Sequence, residues 1–186
     1  MDTVLRFSYS KPEEIRTFGA HKRLDGGGEL QLYEVSCTVP ESRFLISRKF
    51  YHSSYGPSTG VTTFQRKNLR TDVWEPAGEI SWTSSTNATV HFGTDEVRKR
   101  CVREFRQNDG HGIEQRSRRF KAGGSEYKWK TGEGNDLFCV DSRGKTVATW
   151  TQELTTLWVG APAERILDRV VVTCLLNLWV RQLGHW

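Results

Sequence analysis

The sequence lacks the short patterns that mark zinc-dependent hydrolases and deaminases. Its five histidines are scattered, and none lies in an HExxH or HxE…CxxC pattern. The acidic residues Asp136, Asp141 and Glu153 could pair with a histidine only through tertiary contacts, so the sequence identifies no catalytic residue. We therefore favour a protein without enzymatic activity and expect neither a cofactor nor a metal ion.

Cysteine pairs and export signals are also missing. The four cysteines are far apart and form no CxxC pair, which favours reduced structural thiols over a disulfide framework or a zinc site. The first residues contain no apolar run of signal-peptide length and no arginine-rich amphipathic pattern. We expect an intracellular, cytoplasmic protein that is at most peripheral to a membrane.

What the chain does have is the composition of a globular domain. Its 186 residues include seven tryptophans and nine phenylalanines, and 36% of them are hydrophobic. A mean hydropathy of -0.59 excludes an ordinary integral membrane protein. A chain of this size buries about 70% of the surface that its unfolded form exposes, which is enough for a sizeable core. We predict a single domain over residues 1–186.

The most apolar segment, residues 163–183, predicts a helix buried inside the protein. Its uncharged run from residue 170 to residue 180 is about 16 Å long as a helix, which is too short to cross a bilayer. A helix that is apolar nearly all round is buried nearly all round. Pro162 and Gly184 are placed to start and stop it. The helix is apolar all round except for one polar line. The residues of this line are spaced by four: Arg169, Thr173, Asn177 and Arg181.

Before this helix, short β-rich runs are bounded by Gly, Asn, Asp, Ser and Pro. Lys128 and Lys130 alternate with aromatic residues, and residues 122–125 and 142–145 have the composition of hairpin turns. Residues 95–106 space their apolar side chains as a short amphipathic helix. Eleven strands are predicted, at residues 4–9, 30–39, 44–52, 61–67, 78–83, 88–92, 116–121, 126–130, 137–141, 146–151 and 156–159.

Consecutive antiparallel strands and one buried helix predict a closed barrel. Closure removes exposed sheet edges, and a lumen that holds a helix needs more than the eight strands that side chains alone can fill. A sandwich capped by the helix would require a broad polar face on it, whereas only the polar line is present. We predict a mainly β protein, a closed antiparallel barrel of about twelve strands around the C-terminal helix.

Four segments, at residues 80–97, 116–130, 137–150 and 164–180, carry a resemblance to a known family. Residues 78–183 resemble an uncharacterised domain family of fungal proteins in the tubby-like superfamily, and the shape is similar to LURP-one-related proteins and phospholipid scramblases. The resemblance implies a twelve-stranded barrel around a C-terminal helix. Tubby-type domains bind phosphoinositides and scramblases act on lipids, but such roles do not transfer by fold alone.

The basic residues are concentrated in one segment, residues 98–121. It contains nine basic and three acidic residues, whereas the rest of the chain contains 18 basic and 19 acidic residues. Clustered basic residues attract anionic head groups, and arginine binds phosphate bidentately. Nucleic acid would favour exposed aromatics among them, but Phe105 and Phe120 have the pattern of core residues. The candidate anion-binding or lipid-binding residues are Arg98, Lys99, Arg100, Arg103, Arg116, Arg118, Arg119 and Lys121.

Two other interpretations stay open for these two sets of residues. The basic segment could be a solvated face, and strand alternation would divide its side chains between two faces. The polar line could bind a small ligand beside the helix, or its groups could satisfy backbone atoms of the surrounding strands.

We therefore expect a non-enzymatic binding module for an anionic phospholipid or an acidic protein surface. The alternatives are a small-molecule-binding or enzymatic barrel that uses the polar line, and a structural or protein-interaction domain.

Overall fold

A computed structural model describes residues 2–8, 29–37, 42–51, 59–82, 87–92, 95–100 and 118–182. These residues form β-strands, two short 3-10 helices and an α-helix, numbered here along the chain. The strands are β1 (Thr3–Ser8), β2 (Glu29–Cys37), β3 (Ser42–Tyr51), β4 (Thr59–Asn68), β5 (Val73–Trp82), β6 (Asn87–Phe92), β7 (Asp95–Arg100), β8 (Arg118–Ala122), β9 (Ser125–Thr131), β10 (Leu137–Val140), β11 (Thr146–Thr151) and β12 (Thr156–Val159). The 3-10 helices are Glu133–Asn135 and Ala161–Ile166, and the α-helix α1 is Leu167–Gln182.

The strands follow one antiparallel order made of two meanders. β2 to β7 form the first meander and β8 to β12 form the second. β1 joins them, because it pairs with β2 on one side and with β12 on the other. The resulting order is β7-β6-β5-β4-β3-β2-β1-β12-β11-β10-β9-β8.

The prediction of a closed barrel is wrong. β7 and β8 stand at the two ends of the strand order, and no ladder joins them within the described ranges. The helix is nevertheless enclosed, since α1 contacts β5 in the first meander and both β8 and β12 in the second. A helix that is buried on all sides does not require a closed ring of hydrogen-bonded strands. An open sheet whose two meanders both pack on the helix buries it equally well.

Each of the eleven predicted strands overlaps a strand of the structure, and the additional strand, β7, lies where a helix was predicted. The helix prediction for residues 95–106 is wrong over β7, because Val97 pairs with Val90 and Asp95 with Phe92 in an antiparallel ladder. The apolar spacing is helical only when the segment is considered alone, whereas β6 offers it a partner for its backbone hydrogen bonds. Residues 101–106 lie outside the described residues.

The C-terminal segment begins as the 3-10 helix Ala161–Ile166, with Pro162 in its first turn, and continues as α1. All side chains from residue 170 to residue 178 are buried, so the prediction of a buried helix is confirmed. Gly184 lies outside the described residues. Over the ranges that the structure describes, no helix is both long and apolar enough to cross a bilayer.

The core lies between α1 and the inward faces of the strands. Phe7 meets Trp150 edge to face, with ring centroids 5.1 Å apart. Trp129 is buried while Lys128 and Lys130 are half-buried on the other face of β9, which confirms the predicted alternation. The largest fully buried side chains are Trp129, Trp150, Phe7, Phe44 and Phe64.

The predicted hairpin turn at residues 122–125 is confirmed. Gly123 and Gly124 have φ angles of 53° and 77°. Positive φ at both central residues is the geometry of a two-residue hairpin turn whose twist matches the flanking strands. This turn fixes the register of the hairpin, which places Arg119 directly opposite Lys128.

Gly78 of β5 marks the place where the sheet leaves no room for a side chain beside α1. A Cβ atom at this position would lie 3.1 Å from Cγ2 of Val172 and 3.3 Å from the carbonyl oxygen of His91. Val172 is packed in the core and His91 belongs to the β5–β6 ladder, so neither residue can move away from an added Cβ atom. We predict that Gly78→Ala lowers the free energy of unfolding by about 1–3 kcal/mol, measured by urea denaturation.

Gly132→Ala is the matched control. Its Cβ atom would have no neighbour closer than 3.5 Å, and alanine adopts its φ of -104° without strain. The control should leave stability unchanged or raise it by less than about 1 kcal/mol, because alanine reduces the entropy of the unfolded chain. Equal stability of the two variants would contradict the close approach at Gly78.

Candidate functional site

The centre of the polar line is a buried hydroxyl. Thr173 is 4% exposed, and its Oγ1 accepts a hydrogen bond of 3.0 Å from the indole Nε1 of Trp129 on β9. The same hydroxyl donates to the carbonyl oxygen of Arg169 at 2.7 Å. Because a buried indole N–H without a partner is costly, this contact ties the rotation of α1 to β9.

Asn177 and Arg181 continue the line toward the C-terminal end of α1. Asn177 is 4% exposed, and its Nδ2 donates to the carbonyl oxygen of Thr173 at 2.8 Å. The Arg181 guanidinium donates to the carbonyl oxygen of Asn135 and, at 2.9 Å, to Oε1 of Gln152. Burial lowers the pKa of Arg181, while the nearby Cys174 and Asp136 act in the opposite direction. A cation in the last turn also complements the helix dipole.

Arg169, at the other end of the line, contacts both meanders. Its guanidinium carbon lies 4.5 Å from the ring centroid of Phe92 on β6, and its Nη1 donates to the carbonyl oxygen of Lys121 on β8 at 3.4 Å. β6 is next to one end of the strand order and β8 is the other end. Arg169 therefore contacts strands near both ends of the strand order, and no described ladder joins these two ends.

These contacts show how the polar line is used within the fold. Arg169 and Arg181 donate to backbone carbonyl groups of the second meander and its connections, Thr173 accepts from an indole, and Asn177 bonds to its own helix. The line thus holds the helix in its sheet. A ligand beside α1 would have to displace these bonds.

Two cysteines lie in the same core as free thiols. Burial raises the pKa of Cys139 to about 12, against an opposing backbone hydrogen bond at Lys128. Burial also raises the pKa of Cys174. Both thiols stay protonated near neutral pH and are poor nucleophiles. The expectation of reduced structural thiols is confirmed for this pair.

Two of the three acidic residues considered as partners for a histidine, Asp136 and Asp141, have other roles. Oδ1 of Asp136 accepts from the backbone N–H of Gln152 at 2.8 Å. Oδ1 of Asp141 accepts from the backbone N–H groups of Arg143 and Lys145, both at 2.9 Å, inside the β10–β11 turn. These carboxylates therefore stabilise turns.

Sequence reasoning missed one catalytic-type pattern, Gly-x-Ser-x-Gly at residues 56–60. Ser58 lies outside the described residues. A nucleophile elbow places its serine between a strand and a following helix. Here Thr59 and Gly60 begin β4, so the residues after the serine enter a strand and the pattern lacks its structural context.

The structure divides the predicted basic residues between the two ends of the strand order. Arg98, Lys99 and Arg100 are in β7, where the structure describes the backbone alone, and the same holds for Arg118 in β8. Arg103 and Arg116 lie outside the described residues. The two candidates with described side chains, Arg119 and Lys121, are exposed on the outer face of β8, while Phe120 between them is buried.

Two further lysines share that face and were missed. Lys128 lies directly opposite Arg119, and Lys130 is the next outward residue of β9. Adjacent outward positions are about 7 Å apart along a strand and about 5 Å apart across the ladder. The sequence signal was available, because the glycine turn and the alternation of β9 together place these lysines beside β8. We call Arg119, Lys121, Lys128 and Lys130 the basic face.

The basic face contains one acidic residue among the described side chains of β8 and β9. Glu126 lies opposite Lys121 and forms an ion pair of 2.5 Å with Arg119. Arg119 and Lys128, by contrast, are like charges at directly opposed positions, an arrangement that weakens a strand pair. The face therefore has an excess of three positive charges, and Glu126 partly offsets the repulsion between Arg119 and Lys128.

The Trp129–Thr173 bond can be tested by a double-mutant cycle. Thr173→Val keeps the shape of the side chain but leaves the buried indole N–H without its acceptor, so the free energy of unfolding should fall by about 1–3 kcal/mol. In a Trp129→Phe background there is no indole N–H, and the same substitution should cost at least about 1 kcal/mol less. Equal costs in both backgrounds, measured by urea denaturation, would contradict the bond.

The comparisons with known proteins give the chain a family but no activity. No curated protein and no solved structure shows significant similarity to it. A family model described as a family of unknown function, DUF6593, matches residues 28–182. This range runs from β2 to the end of α1 and so contains both meanders, the helix and the basic face. The chain therefore belongs to the DUF6593 family.

Proposed function

We propose that this protein is a non-enzymatic binding module whose basic face binds an anionic phospholipid surface. The observation that carries the proposal is the pairing of Arg119 with Lys128 across the β8–β9 ladder, with Lys121 and Lys130 on the same face. Glu126, paired with Arg119, is the acidic residue beside these four basic residues among the described side chains of β8 and β9, so the face keeps an excess of three positive charges. An anionic surface would be attracted by this excess.

The magnitude of the attraction is sufficient for peripheral binding. Each basic residue near an anionic membrane surface contributes about 1 kcal/mol, so the excess of three positive charges that remains beside Glu126 supplies about 3 kcal/mol before any other contact. Each 1.4 kcal/mol corresponds to about a tenfold change in affinity. The attraction is screened by salt, because exposed charges interact over about one Debye length.

Two further considerations support a lipid partner. We also propose that the chain is related to tubby-like domains, which it resembles in sequence. Tubby-like domains bind phosphoinositides, so this relationship favours a phospholipid as the ligand. An intracellular location fits, because the cytoplasmic leaflet is rich in anionic lipids. The competing small-ligand function has less support, since the polar line is engaged by the helix and its sheet.

We predict that Lys121→Glu/Lys128→Glu weakens binding to phosphatidylcholine vesicles containing phosphatidylserine by about a hundredfold or more. The double variant removes two attractive charges and introduces two repulsive ones, each worth about 1 kcal/mol. It should keep its fold, because the new carboxylate at position 128 would attract Arg119 while the one at position 121 would repel Glu126, so that the two effects offset each other.

Vesicle flotation against a salt series measures the effect, and Arg70→Glu/Thr71→Glu is the control. Arg70 and Thr71 are exposed in the β4–β5 turn, which belongs to the first meander and not to the one that carries the basic face, and the two substitutions lower the net charge by three units against four in the test variant. The control should bind nearly as the unmodified protein does. Binding that ignores phosphatidylserine and phosphoinositide content would refute the proposal, and equal losses in both variants would reduce it to an effect of net charge.

A further inference from the structure

The outer face of the second meander carries a row of residues that continues from the basic face to β1. Outward positions on five neighbouring strands are directly opposed across four ladders. Their chain neighbours Trp129, Leu157 and Leu5 are buried on the inner face, which places the row on the outer face. The row consists of Lys130, Phe138, Thr149, Trp158 and Val4.

Trp158 is the unusual member of this row, because it is 50% exposed. Leu69, Leu154 and Val73 are exposed too, but the first two lie in turns, where exposure is common, and Val73 is the first residue of β5. Trp158 instead lies within β12, between the partner strands β11 and β1. An indole of which half remains in water forgoes much of the stabilisation that its burial would give. A contact with another surface would recover it.

One basic residue lies close to Trp158, another lies three strands away at the far end of the row, and Asp2, two residues before Val4, accepts a hydrogen bond from the backbone N–H of Ala161 at 3.1 Å. Arg6 is exposed on β1, at a position diagonal to Trp158, since Arg6 pairs with Thr156. Toward β9, the ammonium group of Lys130 lies 5.8 Å from the ring centroid of Phe138. Lys130 belongs to both the row and the basic face, so Thr149 and Phe138 connect the exposed indole to the basic residues along the outer face.

This combination fits the interfacial region of an anionic bilayer better than a single-stranded nucleic acid. An indole is amphipathic and favours the level of the lipid head groups, where basic side chains meet anionic lipid. A nucleic acid would need successive exposed rings on which bases stack. Here Phe138 is half-buried beside Lys130, and Trp158 is the exposed aromatic residue among the described side chains.

We propose that Trp158 is the membrane anchor of this domain, inserting its indole at the interface of an anionic phospholipid bilayer while the basic face and Arg6 contact the head groups. The proposal rests on the proposed function. It adds the residue that enters the bilayer and the face of the second meander that is turned toward it.

The test measures the binding of Trp158→Ala to phosphatidylcholine vesicles with phosphatidylserine, alongside Leu69→Ala. Removing the indole should weaken binding about tenfold, because the buried apolar area of the anchor is lost. Leu69→Ala removes an exposed apolar side chain in the β4–β5 turn and should bind as the unmodified protein does. Thermal melts of both variants verify that the fold is intact.

A second measurement detects insertion directly. Vesicles with brominated acyl chains should quench the tryptophan fluorescence of the unmodified protein, and Trp158→Phe should abolish most of that quenching. Retained quenching in Trp158→Phe would assign insertion to another tryptophan and overturn the proposal.

The outcomes separate this proposal from the proposed function. If the Lys121→Glu/Lys128→Glu variant loses vesicle binding while Trp158→Ala binds normally, the basic face stands and the anchor is wrong. If the unmodified protein does not bind anionic vesicles, both are wrong. Loss of binding to a single-stranded oligonucleotide in Trp158→Ala, with vesicle binding unchanged, would identify nucleic acid as the occupant and overturn the anchor.

Discussion

The fold depends on the need to bury α1 on every side while each of its polar groups finds a partner. Side chains from residue 170 to residue 178 are all buried, so both meanders must pack on the helix. The bond between Trp129 and Thr173 fixes the rotation of the helix, since a rotation by one residue would set the hydroxyl against apolar side chains. Arg169 and Arg181 then tie its two ends to the second meander.

The local parts of this fold could be predicted from the sequence, whereas the non-local pairing could not. The apolar circumference of α1 and the alternation of β9 are local patterns, and both predictions are confirmed. Closure of the sheet depends on whether β7 pairs with β8. No local sequence pattern indicates whether two strands so far apart in the order pair with each other. The segment around Val97 is a second example. The apolar residues there are spaced as in a helix, but the non-local pairing of Val97 with Val90 makes the segment a strand.

The candidate surface was predicted only in part, for a related reason. Arg119 and Lys121 stand out because basic residues cluster around them in the chain. The register of the β8–β9 hairpin places Lys128 on the same face. Trp158 is three ladders away from Lys130 along the same outer face. Linear clustering therefore finds the densest charge but misses residues that the sheet brings beside it. The predicted segment and the observed face overlap in β8 alone among the described side chains.

We infer that the sheet and α1 form one cooperative unit, with the helix as its core. Native-state hydrogen exchange resolved by residue tests this directly, because it gives the free energy at which each amide opens. We predict that amides from residue 170 to residue 178 open only with global unfolding, at the same free energy as those of β5 and β9. Helix amides that open at a clearly lower free energy, while the strand amides stay protected, would show that the sheet persists without its helix and that the two are not one cooperative unit.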